Sequence, residues 1–287
     1  MFAYNNAMTE INSNVIKSIL ILRKSEAYKN QFGHALIVAG SEGKIGAGLL
    51  SSKACLRSGV GLLTVCCPKG TAPIFHTALP EVMVLEDNNE NFSTFIPNYD
   101  CFSAYGIGPG LGTNKETISA LHTFLKCNNK PCILDADALN AIAIKPELKK
   151  YIKNCVLTPH IGECKRLIGN WGDDNEAYEK IVLFVKNTQS ILVLKGAQTK
   201  IFVPDGEVFI NTTGNPGMAK AGSGDLLTGI ITAFLAQGYS SQNSAILGVY
   251  FHGLAADLAV EKSSNYSLLA SDICNFLPLA FRRVLGE

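Results

Sequence analysis

The sequence predicts an α/β fold whose central, mostly parallel sheet is flanked by helices. Short apolar runs alternate with longer helical segments from Phe32 onwards. These runs are continuously apolar rather than alternating, which is typical of strands covered on both faces. Helical stretches separate the later runs, and such a strand–helix rhythm predicts parallel strands with helices on both sides.

The predicted elements follow in chain order after a polar lead-in over residues 1–30, which contains a short helix around Val15–Leu22. The predicted strands are His34–Ala39, Leu62–Cys66, Val82–Leu85, Cys101–Tyr105, Cys132–Leu134, Cys155–Leu157 and Ile191–Leu194. The predicted helices are Gly46–Ser58, Glu116–Lys126, Glu163–Ile168, Glu176–Thr188, a buried helix after Asp225, and Ser244–Val260. No linker-like or low-complexity tract interrupts them, so residues 1–287 are expected to form a single domain.

Composition excludes several classes of partner. The 25 basic residues nearly balance the 24 acidic ones, which argues against nucleic acid or an anionic membrane as the main partner. The longest apolar run, Leu226–Ala236, is far shorter than the roughly 20 residues of a membrane span. Residues 1–10 lack the pattern of a secretory signal. We therefore expect no membrane contact.

The nine cysteines predict a reducing compartment. They form no CxxC pair, and their odd number does not suit a closed disulfide framework. Cys66, Cys101, Cys132 and Cys155 lie in apolar runs and are expected to be buried, reduced thiols. No Cys/His spacing matches a zinc site. The expected location is the cytoplasm.

The segment Asn215–Ile231 (NPGMAKAGSGDLLTGII) carries the strongest chemical signal. Its glycines permit tight turns, and the apolar stretch after Asp225 reads as a buried helix. Ala221–Gly224 would then present free N–H groups at the helix N-terminus, which attract phosphate. The order of residues is not that of a P-loop. Asp225 is either an ordinary first-turn acid or a base that accepts a proton from a hydroxyl attacking a phosphoryl group.

Two further glycine-rich loops follow predicted strands. Gly106–Gly112 (GIGPGLG) is either a tight strand-to-helix turn or a turn whose backbone also contacts a ligand. Ala39–Gly48 (AGSEGKIGAG) leaves room for a bulky ligand or is a flexible entry to a helix. In open α/β sheets ligands bind at the carboxyl ends of the strands, so both loops are candidates.

Three polar loops occupy the same kind of position. Leu134–Asn140 (LDADALN) offers oxygen ligands for hydrated Mg²⁺ or hydroxyl groups, although helix capping also explains Asp137. Thr158–Glu163 (TPHIGE) places His160 and Glu163 at a helix start, where Glu163 could hold a metal-bound water. Lys195–Thr199 (KGAQT) suits phosphate contact or is a surface turn. Together the six loops indicate one ligand site.

These motifs resemble the ADP/ATP-dependent NAD(P)H-hydrate dehydratases, members of the ribokinase-like superfamily. The resemblance covers about residues 32–238 and rests on GxxGAxLLxxxAxLRxGxGLLTV-like residues 43–65, GPGLG at 108–112, LDADALN at 134–140, TPHxGE at 158–163, KGAxT at 195–199 and GNPGMAxxGSGDLLTGII at 214–231. It implies a ribokinase-like three-layer sandwich. It also implies dehydration of the S-epimer of hydrated NADH and NADPH at the C6 hydroxyl, driven by ADP, which yields AMP and phosphate, or by ATP.

The resemblance assigns roles to individual residues. Asp225 is similar to the base that activates the substrate hydroxyl. Ala47, Gly110 and His160 match positions that contact the hydrated dinucleotide. The anion hole corresponds to Gly222, Ser223 and Gly224. The nucleotide site corresponds to Lys195, Gly196, Ala197, Gln198, Thr199 and Gly224. Glu163 stands where related kinases order Mg²⁺ through water, so Mg²⁺ is the expected cofactor.

Some expectations come with alternatives. Lys220 replaces a residue that is usually smaller in the resembling family, and it is a candidate for an extra phosphate contact. The resemblance also implies a homotetramer, with Ser244–Val260 partly at an interface, and pairing with a separate epimerase. A vitamin or sugar kinase of the same superfold, or a non-catalytic nucleotide sensor, are the competing interpretations. The choice between ADP and ATP stays open, with ADP favoured.

Overall fold

The apolar runs form one sheet of ten strands in the computed structural model, which describes residues 8–287. The strand order is β1-β10-β9-β8-β7-β6-β5-β2-β3-β4. Only β9 pairs antiparallel to its neighbours. The strands are β1 (Thr9–Ile11), β2 (His34–Val38), β3 (Leu62–Cys67), β4 (Met83–Glu86), β5 (Ala104–Ile107), β6 (Cys132–Leu134), β7 (Val156–Leu157), β8 (Ile191–Leu194), β9 (Lys200–Phe202) and β10 (Val208–Asn211).

Helices cover both faces of this sheet. They are α1 (Ser13–Ile19), α2 (Ile45–Arg57), α3 (Ala72–Ala78), α4 (Lys115–Cys127), α5 (Asp137–Ile144), α6 (Ile161–Ile168), α7 (Asp174–Thr188), α8 (Ser223–Ala236), α9 (Ser241–Val260) and α10 (Ala270–Leu285). One apolar core joins the sheet to α2, α8, α9 and α10, and a second joins it to α4 and α5. The predicted three-layer α/β arrangement is confirmed.

Helix α8 is almost entirely enclosed. All of its residues are buried except Gly224 and Asp225, which belong to its first turn. Each fully buried Leu or Ile contributes roughly 1.5–3 kcal/mol of transfer free energy, so the body of the helix is firmly anchored. Its N-terminus is therefore held at a fixed place beside the sheet.

The predicted strand Cys101–Tyr105 is wrong by three residues at its start. The register of β5 against β2 begins at Ala104, which pairs with Ala35. Cys101 precedes the strand in a turn, and its side chain is exposed rather than buried. The other three cysteines named from the sequence, Cys66, Cys132 and Cys155, are buried free thiols.

The lead-in contributes more structure than its polar sequence predicts. Strand β1 pairs in parallel with β10, and the side chains of Ile11 and Ile16 are fully buried. The sequence did not predict β1 and β10, because three or four residues are too few to show an alternation of apolar and polar side chains. Helices α3 and α10 were also not predicted.

Helix α9 is an internal element. Its residues 244–256 are buried throughout except Leu254, because α8, α10 and α1 pack around them. This stretch therefore offers little surface to a partner, and a subunit interface involving part of Ser244–Val260 stays a prediction. No helix among residues 8–287 has the length and apolarity that a membrane crossing requires.

Candidate active site

Hydrogen bonds link the predicted loops into one continuous edge. Gly40 donates its N–H to Pro109 O at 2.9 Å, which joins the loop after β2 to the loop after β5. Gly112 donates its N–H to Asp137 Oδ2 at 2.8 Å, which joins that loop to the start of α5. Lys195 donates to Asp135 Oδ1 at 2.8 Å. Lys195 N–H also donates to Pro159 O, and Thr228 Oγ1 donates to Asp135 Oδ2, each at 2.9 Å, so all six loops meet, as the strand ends predict.

The N-terminus of α8 is open. Gly222 adopts a φ of +89°, and no side chain caps the helix. This left-handed conformation favours glycine, and a Cβ atom at this position would also displace the end of the Leu50 side chain, 2.6 Å away. The first-turn N–H groups have no helical partner and attract an anion. This is the geometry that the predicted anion hole of Gly222, Ser223 and Gly224 requires.

A cavity of about 800 Å³ adjoins this helix start. Its volume lies within the about 300–1,000 Å³ of small-molecule sites. Predicted residues that line it are His160, Lys195, Gly196, Ala197, Thr199, Ser223 and Gly224. Gln198 is exposed and does not line it, and Gly222 shapes the turn beneath it. The cavity therefore collects most of the predicted nucleotide site.

Asp225 lies beside this cavity without lining it. Desolvation raises the pKa of its carboxyl to about 6, the nearby Asp135 and Asp137 add to the rise, and Lys195 opposes it. Among residues 8–287 its carboxylate has no hydrogen-bond or ion-pair partner. Asp225 is thus a half-buried carboxylate whose ionised form is poorly stabilised. Such a group readily takes up a proton, which suits a proton acceptor.

Lys195 is held between two buried carboxylates. Its Nζ lies 2.8 Å from Asp135 Oδ1 and 3.8 Å from Glu163 Oε2. Burial alone would lower the pKa of Lys195, but the two carboxylates outweigh it and raise the pKa. Asp135 also accepts from Thr228 Oγ1 at 2.9 Å. Asp135, proposed from sequence as a metal or hydroxyl ligand, instead fixes the lysine in the cavity wall.

Ala47 and Gly110 meet close to Asp137, a carboxylate that acts on the charge of Asp225. A Cβ added to Gly110 would lie 3.1 Å from Ala47 Cβ and 3.0 Å from Lys44 O, so the two chains are in close contact. Asp137 stands next to them, 3.8 Å from Lys44 Nζ. Its side chain accepts from Gly112 rather than capping α5, whose N-cap is Ala136. His160, the third predicted dinucleotide contact, lines the cavity instead.

His160 and Glu163 close the N-terminus of α6. Glu163 Oε2 accepts from His160 N–H at 2.8 Å, and His160 Nδ1 accepts from Gly162 N–H at 3.0 Å, which is a reciprocal capping box. Among residues 8–287, no three His, Cys, Asp or Glu side chains form a direct metal site. Glu163 keeps spare lone pairs, so contact with Mg²⁺ through water fits this donor set and direct ligation does not.

Two residues around the cavity were not predicted. Asp257 accepts from Gly214 N–H and from Asn215 Nδ2, each at 2.9 Å, and so fixes the loop before α8. His252 lines the cavity from α9. Both residues lie within a mostly apolar helix and gave no separate signal. Lys220 lines the cavity and donates one hydrogen bond to Tyr266 O at 2.5 Å, so a phosphate contact from its ammonium group stays a prediction.

Comparison with known proteins agrees with this geometry. Residues 35–279 match the family model described as NAD(P)H-hydrate dehydratase. The chain is 34% identical over 272 residues to the ADP-dependent (S)-NAD(P)H-hydrate dehydratase of Bacillus subtilis, covering 93% of this chain and 96% of that protein. It spans about half the length of the bifunctional NAD(P)H-hydrate repair enzymes that it also matches.

Solved structures give the same picture of the fold. A ribokinase-like superfamily protein from Enterococcus faecalis superposes with a TM-score of 0.85 at 28% identity, covering 99% of both chains. The ADP/ATP-dependent NAD(P)H-hydrate dehydratase from Bacillus subtilis, co-crystallised with ATP/Mg²⁺, gives a TM-score of 0.81 at 29% identity and covers 98% of this chain and 100% of that one. The ribokinase-like fold expected from the motifs is confirmed.

Proposed function

We propose that this chain, which belongs to the NAD(P)H-hydrate dehydratase family, uses an adenine nucleotide to dehydrate the S-epimer of hydrated NADH and NADPH. The observation that carries the proposal is the start of α8. There an uncapped helix N-terminus borders a cavity of about 800 Å³ and continues directly into Asp225, whose pKa is raised to about 6. A phosphate cradle and a proton acceptor therefore occupy consecutive residues.

The two ligands are proposed to bind on opposite sides of Asp225. The nucleotide occupies the cavity, with Lys195, Gly196, Ala197 and Thr199 along its wall and Gly224 at its phosphate end. Gln198 contributes through its backbone, because its side chain is exposed. The hydrated dinucleotide lies against Ala47 and Gly110, and His160 contacts it from the cavity side. Lys195 and Asp137 both act on the charge of Asp225, which supports this placement.

The chemistry is phosphoryl transfer followed by elimination. Asp225 accepts the proton of the C6 hydroxyl, whose oxygen attacks the terminal phosphoryl group. The bond from that phosphorus to the bridging oxygen breaks, and AMP leaves from ADP, or ADP from ATP. The N–H groups of Ser223 and Gly224 stabilise charge on the transferred phosphoryl oxygens. The C6–O bond then breaks with its electrons leaving on phosphate, while the lone pair of the ring nitrogen stabilises the cation. Loss of a proton from C5 restores the C5–C6 double bond.

Mg²⁺ is proposed to accompany the nucleotide. When bound, the ion would neutralise phosphate charge, and Glu163 would accept a hydrogen bond from one of its water ligands. The ATP/Mg²⁺ in the Bacillus subtilis crystal supports this assignment. Glu163 already has His160 N–H and Lys195 as partners, so its carboxylate is oriented before any ion arrives.

The test is direct conversion. Hydrated NADH, separated into its epimers, is incubated with the protein and with ADP or ATP, and recovery of dihydropyridine absorbance is followed. We expect recovery from the S-epimer, with release of AMP from ADP, and ADP to be the better substrate. A stable phosphorylated product without recovery would favour a kinase. Nucleotide binding without any turnover would favour a sensor.

Four broader assignments are part of the proposal. The whole chain forms one domain, works in the cytoplasm as a homotetramer, and receives its S-epimer from a separate epimerase. The nine cysteines are free thiols, seven of them buried, which supports a reducing compartment. The ten strands belong to one sheet, which supports a single domain. Analytical ultracentrifugation tests the tetramer.

A further inference from the structure

His252 is a buried histidine that belongs to none of the six loops. It lies within α9, is 7% exposed, and faces the cavity beside α8. Its Nε2 atom lies 3.2 Å from Oγ of Ser223, the first residue of α8. A histidine that served only the packing of the core would need no more than hydrogen-bond partners for its ring nitrogens. This one also forms part of the wall against which the nucleotide is proposed to bind.

The imidazole of His252 is neutral at physiological pH. Burial lowers the pKa of His252 to about 4, Lys195 acts in the same direction, and the backbone of Ser223 opposes them. A neutral imidazole has one N–H donor and one acceptor nitrogen, and a serine hydroxyl has one hydrogen to donate. The contact between the two side chains can therefore run in either direction.

The direction of this hydrogen bond decides what Ser223 offers to a ligand. If the hydroxyl donates to Nε2, only oxygen lone pairs remain to face the cavity, and they repel a phosphate. If Nε2–H donates to Oγ, the hydroxyl hydrogen is left free to point into the cavity. Phosphoryl oxygens accept hydrogen bonds and offer none, so an occupied anion site selects the second arrangement.

We propose that His252 is a positioning residue whose Nε2–H donates to Ser223 Oγ and so directs the hydroxyl of Ser223 toward a phosphoryl oxygen of the bound nucleotide. This inference rests on the proposed nucleotide site. It adds a side-chain donor to the backbone N–H groups of α8. It also explains why a polar ring lies at this point of a helix whose neighbours Phe251 and Ala255 are fully buried and apolar.

Calorimetric titration with ADP and with adenosine tests the inference, because adenosine lacks the phosphates. We expect His252→Phe to weaken ADP binding about tenfold, the effect of losing one hydrogen bond to a charged group, and to leave adenosine binding unchanged. His252→Gln, whose amide can donate from a similar place, should keep most of the affinity for ADP. Equal loss for ADP and adenosine would overturn the inference, since it would indicate a general change of the cavity.

A double-mutant cycle makes the test specific to Ser223. Since His252 acts through the hydroxyl, Ser223→Ala combined with His252→Phe should bind ADP no more weakly than Ser223→Ala alone. Additive losses would contradict the inference. His252→Asn provides a smaller change if the phenylalanine variant does not fold. Here Asn cannot reach Ser223 Oγ and should bind ADP like the phenylalanine variant.

These outcomes are separable from those of the proposed function. Binding of ADP by the parent protein without recovery of NADH would contradict the dehydratase activity and leave the calorimetric comparison intact. Failure of the parent to bind ADP would overturn both. Full dehydratase activity with His252→Phe binding ADP as tightly as the parent would overturn only the role of His252.

Discussion

Helices α6 and α8 begin at the same edge of the sheet and carry an acid as their third residue, yet the two helix starts differ in what satisfies them. At α6, Glu163 reaches back to His160 N–H and His160 Nδ1 covers Gly162 N–H. At α8, Gly222 has no side chain, and Asp225 has no hydrogen-bond partner among residues 8–287. One start is closed by its own side chains, and the other is left open for a ligand.

The comparison shows that one motif, an acidic residue in the first helical turn, can have a structural role in one helix and a chemical role in another. A glutamate with a histidine N-cap is long enough to form the capping box. Asp225 makes no such bond back to Gly222, and desolvation, with Asp135 and Asp137 nearby, raises the pKa of its carboxyl to about 6. We therefore expect substitutions at α8 to affect turnover and substitutions at α6 to affect mainly stability.

The largest expected effect comes from Asp225→Asn. It removes the proton acceptor while preserving shape, so kcat should fall about 1,000-fold, within the range for loss of a general base. ADP affinity, measured by calorimetry, should change little. Recovery of dihydropyridine absorbance from the S-epimer gives kcat. If kcat fell by less than about tenfold, Asp225 would not be the proton acceptor, and its role would not differ from that of Glu163.

Lys195→Met comes next, because Lys195 lies between the two helix starts. The change leaves Asp135 and Glu163 buried without their cation, which should lower the free energy of unfolding by about 3 kcal/mol. Denaturant unfolding without nucleotide measures it. The matched control is Lys220→Met, which loses one exposed bond to Tyr266 O and should change stability by less than about 1 kcal/mol. Equal losses would contradict the buried network.

Lower pH should reduce activity through Asp225 at the open start of α8. Asp225 accepts a proton only when ionised, so kcat/KM should fall about tenfold for each pH unit below its pKa of about 6. ADP binding over the same range must be measured too, because its terminal phosphate also titrates near pH 6. A profile that stays flat to pH 5 after this correction would mean that Asp225 is not the base.

The same carboxyl has a stability consequence of opposite sign. Its pKa is raised from 3.8 to about 6 in the folded protein, so the folded state holds a proton that the unfolded state has released. The associated stability is present below about pH 4 and is lost as pH rises through about 6. Asp225→Asn should therefore be more stable than the parent at pH 7 and equal to it at pH 4, by thermal melting.

The smallest effect is expected for Glu163→Gln. The amide oxygen can still accept from His160 N–H, so loss of stability should be about 1 kcal/mol, in the range for a weakened helix cap. Turnover should fall about tenfold, the lower end of the roughly 10–100-fold range for groups that act on a metal through its ligands, since the proposed contact with Mg²⁺ runs through water. A loss of kcat as large as that of Asp225→Asn would show that the two helix starts share the chemistry.

The sequence predicted the layers and the meeting of six loops because both follow from strong, repeated signals. Continuous apolar strands and strand–helix alternation determine a parallel sheet, and parallel strands bring their carboxyl ends to one edge. Short strands such as β1 and β10 gave no pattern, since three or four residues cannot display one. The start of β5 was misplaced because Cys101 and Phe102 are apolar although the pairing with β2 begins at Ala104.

The hydrogen-bond partners of the side chains at the site could not be predicted from the sequence, for a different reason. Asp135 looked like a metal ligand until Lys195, sixty residues away, was found 2.8 Å from it. Lys220 lines the cavity as a phosphate contact would, but its hydrogen bond to Tyr266 O, forty-six residues away, had no signal in the sequence. His252 and Asp257 sit in an apolar helix. Such pairings depend on distances between distant segments, which local pattern does not encode.

The position of β1 determines where added polypeptide would go. Because β1 runs parallel to β10, its first residue, Thr9, lies at the amino edge of the sheet, opposite the loops that form the cavity. A tag or reporter fused directly to Thr9 would start from the far side of the molecule. Immobilising the protein through that side would keep the cavity mouth turned outward, toward solution.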